Sequence, residues 1–161
     1  MTDHTNSPLY EVIWRTRRLF QRLRAAGDEL HKDIGITTSQ RAVLEFLSQQ
    51  HPQTVPQMAR EKTVSRQHIQ TIVNTLLERG WVECIVNPAH TRSSLIRMTS
   101  AGVRLFEVIR RREAKLLAVM EKQLAEKNLL ITAQTLQSID EYLQSKQWRD
   151  SLPPQTKGEP S

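Results

Sequence analysis

Few of the residues that staple or hinge small folds occur in this chain. Cys84 is the only cysteine among 161 residues, so no intramolecular disulfide can form and a disulfide-framed scaffold is excluded. Five histidines show no paired ligand spacing and there is no cysteine cluster, so no metal and no cofactor are expected. No glycine-rich phosphate loop, nucleophile elbow or carboxylate pair appears, which leaves no catalytic residues to name and no enzyme to expect. No apolar run approaches the length of a membrane span, and the first residues carry no apolar signal core. The expectation is a cytoplasmic protein with no membrane partner. Acidic residues are outnumbered: 17 against 23 basic ones, a formal charge of +6. That balance favours an anionic partner, because phosphate contacts by Lys and Arg release counterions.

What the chain does have is concentrated between Thr54 and Thr99. Thr54 and Gln57 stand at the spacing of a capping box, and Ser65 is placed to cap a second helix that runs to about Arg79 and stops at Gly80. Strand-like Trp81–Val86 and Leu95–Thr99 flank a polar loop. This is the order of a helix-turn-helix followed by a wing, a shape that seats one helix in the major groove of DNA. On the second helix, Ile69, Ile72, Val73, Leu76 and Leu77 recur at helical spacing and are expected inward. Arg66, Gln67, His68, Gln70, Thr71 and Asn74 fall on the other side. Any surface helix has a polar face, but this one is rich in amides and short of carboxylates. Its side chains are of the kinds that bond base edges: Arg to guanine, Gln or Asn to adenine, Thr to a thymine methyl.

Around this core the chain reads as helical. Residues 1–7 are polar and expected to be flexible. A long amphipathic helix starts at Pro8 and ends before Gly35, with Leu9, Ile13, Phe20, Leu23 and Leu30 as its apolar face. Thr37 and Gln40 open another helix with Val43, Leu44, Phe46 and Leu47 inward. A long helix follows Thr99, a break is expected near Lys127–Asn128, and a last helix capped at Thr132 carries Leu136, Ile139 and Leu143 inward. Residues 149–161 hold Pro153, Pro154, Gly158 and Pro160 and are expected to be a disordered tail. The fold class expected is mainly α with a small β-wing: one winged-helix domain over residues 8–148, with a DNA-binding core at about 37–99 and dimerisation helices at both ends. The terminal helices carry more apolar surface than a small winged helix can cover, and a two-fold homodimer is the economical solution.

Several segments together resemble the MarR family of winged helix-turn-helix transcription regulators. They are Val64–Gln67 at the start of the reading helix, Leu76–Val82 at its end, Asn87–Arg92 in the wing and Leu95–Gly102 after it. The resemblance implies a homodimer on a pseudo-palindromic operator, usually a repressor, shifted by a small aromatic or anionic effector. It also implies that Arg92 is the wing arginine that enters the minor groove, where narrow A·T-rich DNA concentrates negative potential. Two positions depart from the family pattern. His90 replaces the aspartate that would orient that arginine, and Thr63 stands where glycine is common. A left-handed conformation at Thr63 would cost of order 1 kcal/mol.

The reading is therefore a sequence-specific dimeric regulator bound to double-stranded DNA. Ser65 caps the helix and contacts phosphate, and Arg66 contacts phosphate or base. Gln67, His68, Gln70, Thr71 and Asn74 read the major groove, and Arg92 anchors the wing. The alternatives are a winged-helix protein-interaction module or a non-specific nucleic-acid binder. For an effector, Trp14, Arg18 and His31 are candidates; Trp14 suits dimer packing as well as a pocket wall. Trp81 and Cys84 are expected to pack as core and strand residues.

Overall fold

A computed structural model describes residues 7–50, 52–90 and 92–153. The sequence expectations for residues 1–6 and for the end of the tail, 154–161, lie outside these, as do His51 and Thr91. Among the described residues the order is α1 (Pro8–Leu30), α2 (Thr38–Gln49), α3 (Val55–Glu61), α4 (Arg66–Glu78), β1 (Val82–Ile85), β2 (Leu95–Met98), α5 (Ser100–Glu121), α6 (Glu126–Gln144) and α7 (Lys146–Ser151). The mainly α class with a small β-wing is confirmed. The chain divides into two compact units, residues 1–113 and 114–161.

In the first unit, local capping starts the helices where the sequence indicates. Thr37 with Gln40, and Thr54 with Gln57, form complete capping boxes at the starts of α2 and α3. Asp28 adds a second lock on α2: its carboxylate accepts from the Thr38 backbone N–H at 2.6 Å and from the Thr38 hydroxyl at 2.7 Å. These bonds, the backbone one foremost, hold the Asp28 carboxyl below its ordinary pKa. Ile36, Val43, Leu44, Leu47, Met58, Ile69, Val73, Leu76, Val82, Ile96, Phe106 and Ile109 are buried in one core drawn from the turn before α2, α2, α3, α4, the two strands and α5. Trp81 is half-buried and packed against that core, as expected.

The antiparallel strands pair Val82 with Met98 and Cys84 with Ile96. Gln53, just before α3, exchanges both backbone hydrogen bonds with Ile96, at 2.8 and 3.1 Å. The helix-turn-helix is thereby stitched to the wing. At the wing root, a Cβ on Gly102 would lie 1.9 Å from the Trp81 carbonyl oxygen, so only glycine lets α5 approach this closely.

Both ends of the α3–α4 unit close in the same way. The Gly80 N–H bonds the Leu77 carbonyl and the Trp81 N–H bonds the Leu76 carbonyl, a Schellman motif with Gly80 in the left-handed region at φ 67°. After α3, Thr63 bonds Arg60 and Val64 bonds Ala59 in the same pattern, with Thr63 at φ 53°. The αL turn is thus built on a β-branched residue. Arg79 ties the end of α4 to the α1–α2 turn, donating to the Gly35 carbonyl at 2.7 Å while its guanidinium stacks 4.9 Å over the Trp81 ring.

An ion-pair cluster that no local pattern announces joins α5 to α1 and α2. Arg41 forks onto Glu113 at 2.7 and 2.8 Å and also pairs with Glu45. His31 Nε2 lies 3.3 Å from the same Glu113 carboxylate, and the His31 side chain is 2% exposed. One helical position earlier, Arg112 forks onto Asp33 at 2.7 and 2.8 Å. Burial alone would raise the Glu113 carboxyl; the Arg41 bonds and charge, with a smaller part from His31, outweigh it and hold the group below its ordinary value.

In the second unit the chain breaks at residues 122–125, earlier than expected, and α6 starts at Glu126 after Ala125, whose side chain makes no cap. Thr132 is not a cap. It sits inside α6 and donates to the Asn128 carbonyl at 2.7 Å. Ser145 caps α7, which runs to Ser151 and so carries helix three residues into the segment expected as tail. Leu136 and Leu143, expected inward, are exposed in the single chain.

Two outcomes follow. A folded carboxyl held below its unfolded value stabilises fully above ~4.3, the unfolded pKa, and this contribution disappears as pH falls through the folded pKa. Glu113→Gln is expected to lower stability at neutral pH by about 2 kcal/mol, less than for a fully buried pair, and to flatten the acid limb of the unfolding curve. An unchanged acid limb would contradict this. Thr63→Gly, which removes the Cβ from a left-handed turn, is expected to raise the unfolding free energy by about 1 kcal/mol in denaturant titrations; a loss would contradict it.

Candidate nucleic-acid interface

Helix α4 is seated by Ile69, Ile72, Val73 and Leu76, all buried. At about 100° per residue, this stripe turns Gln67, Thr71 and Asn74 directly away from the core. Arg66 and Gln70 flank that face on one side and His68 on the other. All six, with Ser65, are exposed. Ser65 accepts from the His68 N–H at 3.2 Å, as a capping serine should, and this leaves the first turn of α4 open to solvent. The sole carboxylate of α4 is Glu78, in its last turn, far from the end that would enter a groove.

The outward side chains are partly organised among themselves. Gln70 Nε2 donates to Asn74 Oδ1 at 2.8 Å, and the Thr71 hydroxyl donates to the Gln67 carbonyl at 3.0 Å. Spacing of four on a helix permits both bonds, though the amide–amide pair was not anticipated from the sequence.

A cleft of about 470 Å³ separates α4 from the wing. Arg66, Gln67 and Gln70 line one wall; Arg92, Ser93 and Ser94 of the wing loop line the other, with Cys84 and Ile96 at the strands. The expected wing arginine thus faces the same space as the first turns of the reading helix. Cys84 is exposed into this cleft, which corrects its expected packing. It lies on the same face of β1 as the buried Val82, two residues nearer the wing tip, where the core gives way to the cleft.

The wing loop is held by an asparagine rather than by an aspartate–arginine pair. Asn87 Oδ1 accepts from the Ala89 N–H at 3.1 Å, and its Nδ2 donates to the Ser93 carbonyl at 2.9 Å. Arg97 on β2 is neutralised by Glu83 across the strands at 2.7 Å. Among the described residues Arg92 has no such carboxylate partner, and its charge is left to the cleft.

The three effector candidates are not brought into one place. Trp14 is 44% exposed on α1, with the Arg18 guanidinium 5.3 Å over its ring. His31 lies beyond the other end of the helix, about 25 Å from Trp14 and about 20 Å from Arg18 at 1.5 Å per residue, buried beside Glu113. Its Nδ1 has no hydrogen-bond partner among the described residues. Among the described residues, no cluster of His, Cys, Asp and Glu is able to hold a metal ion, and no helix is long and apolar enough to cross a membrane.

Comparisons with known proteins agree with this geometry. The profile described as the MarR family matches residues 34–93. The uncharacterised HTH-type transcriptional regulator YpoP of Bacillus subtilis is 26% identical over 99 residues, covering 62% of this chain and 70% of the relative. The chain spans from 58% to 70% of the lengths of the curated relatives it matches. The MarR family transcription regulator SP03579 superposes with a TM-score of 0.79 at 26% identity, over 92% of this chain and 97% of that one. The S. aureus MepR–DNA complex shares the fold with a TM-score of 0.72 at 19% identity, over 81% and 96% of the two chains. With the helix-turn-helix, the wing and the cleft between them in place, residues 34–93 match the MarR family and the whole fold is similar to that of MarR family transcription regulators.

Proposed function

We propose that this protein is a sequence-specific homodimeric repressor of transcription, cytoplasmic, and released from its operator by a small aromatic or anionic effector. The observation that carries the reading is the exposed, carboxylate-poor face of α4 opposite Arg92 across a cleft, with no carboxylate partner for Arg92 among the described residues. In this reading Ser65 and Arg66 meet phosphates at the helix start, where the dipole and free N–H groups favour anions. Gln67, His68, Gln70, Thr71 and Asn74 meet base edges, and Arg92 enters the adjacent minor groove. Phosphate contacts set register and affinity; base contacts set sequence.

Dimerisation is supported by apolar residues that the single chain leaves uncovered. On α1 these include Leu9, Leu19, Phe20 and Leu23, with Phe20 60% exposed; in the second unit they include Leu130, Ile131 and Leu143. A second copy would cover them, making residues 8–148 one functional domain with its reading core at about 37–99. Two reading helices would then lie about 34–36 Å apart, one turn of DNA. For the effector, the Trp14–Arg18 stack and the unpartnered Nδ1 of His31 are two separate candidate positions.

Selection from random duplex DNA tests the reading. A two-fold symmetric consensus supports it; no enrichment would favour a protein-interaction module, and enrichment without consensus a non-specific binder. On the selected site, Arg92→Ala is expected to weaken binding by about 1–3 kcal/mol, measured by titration at fixed salt. Unchanged affinity would remove the wing from the interface.

A further inference from the structure

The two amides that project from the middle of α4 are bonded to each other, and this changes what they offer a base pair. Free Gln and Asn side chains each present a donor and an acceptor and reach bases independently. Here Gln70 Nε2 donates to Asn74 Oδ1 at 2.8 Å, with both side chains exposed. What remains free is the Gln70 Oε1 acceptor with its second Nε2–H, beside the two Asn74 Nδ2–H donors. Whichever amide donates within the pair, the free edge keeps the acceptor oxygen of one amide beside the N–H donors of the other.

That edge distinguishes purines. In the major groove adenine shows N7, an acceptor, beside the N6 amino donor; guanine shows two acceptors, N7 and O6. An acceptor and a donor side by side match adenine and set oxygen against oxygen at guanine. Thr71 sharpens the contrast, because its hydroxyl proton goes to the Gln67 carbonyl at 3.0 Å. It adds a methyl next to the pair rather than a competing donor. Gln70 also lines the cleft toward the wing, so the pair sits between the outward face of α4 and the Arg92 side.

We propose that Gln70 and Asn74 act as one hydrogen-bonded reading unit that selects a single A·T base pair in each half-site. The inference rests on the reading of α4 as the helix that enters the major groove.

The test uses the full-length protein and the consensus from duplex selection. Affinity is measured by fluorescence anisotropy on that site, on G·C replacements of each A·T pair, and on duplexes carrying 7-deazaadenine, which lacks the N7 acceptor. At one A·T pair per half-site, both changes are expected to weaken the wild type about tenfold. Gln70→Ala and Asn74→Ala should each abolish discrimination at that same pair, and the double variant should lose no more than either alone. Thermal melts of the variants confirm folding, and the 7-deazaadenine measurement on the wild type needs no variant. The unit is overturned if the two substitutions relax different base pairs, if their losses multiply, or if no A·T pair shows N7 dependence. A pool that yields no consensus overturns the unit together with the recognition-helix reading; a consensus without the N7 dependence overturns the unit alone.

Discussion

Ile69, Ile72, Val73 and Leu76 bury one stripe of α4 against α2, α3 and β1, and that burial fixes the rotation of the helix about its own axis. A helix turned by one residue, about 100°, would drive an amide into the core and bring an isoleucine to the surface. Both changes are costly, the first through an unpaired polar group and the second through lost apolar burial. The direction of Gln67, Gln70, Thr71 and Asn74 is therefore a consequence of packing on the opposite side. Capping by Ser65 and the Schellman turn at Gly80 set where the helix begins and ends along that axis. The Gln53–Ile96 bonds and the close approach at Gly102 then set the wing relative to it.

A second layer of constraint holds this reading head to α1 and α5. Arg41, Glu45, Glu113 and His31 share one partly buried cluster, and Arg112 with Asp33 makes a parallel fork beside it. Adjacent residues of α5 thereby grip α2 and the turn after α1. Arg79 makes a third tie, from the end of α4 to Gly35. Removing one partner from such a cluster leaves a charge in a poorly solvated place, which is why these contacts weigh more than surface pairs such as Arg15–Glu11.

Local rules made the reading head legible before any coordinates. Caps at Thr37, Thr54 and Ser65 and the stop at Gly80 depend on residues within a few positions, and the apolar period of α4 names its buried stripe. What escaped depends on distant or competing partners. Glu113 meets Arg41 across 72 positions of sequence, a pairing that spacing does not encode. Thr132 is a good cap by residue type, yet the chain turns at residues 122–125 and its hydroxyl bonds back inside α6. Cys84 shares a face of β1 with the buried Val82 but lies two residues nearer the wing tip, where that face opens onto the cleft. The bond between Gln70 and Asn74 is permitted by their spacing of four, but spacing alone does not say that the two amides take it. Aspartate is absent from the wing position of the family pattern, and Asn87 supplies order there through its own backbone contacts. In the second unit, Leu136 and Leu143 carry the helical period of a buried face, but a single chain has nothing to cover them.

The central claim is that two copies of this chain place their α4 helices in successive major grooves of one duplex. Hydroxyl-radical footprinting of the full-length protein on its selected site addresses it most directly. The account predicts two protected faces related by a dyad, with centres about 10–10.5 base pairs apart. A single protected half-site with no dyad, persisting at saturating protein, would contradict it.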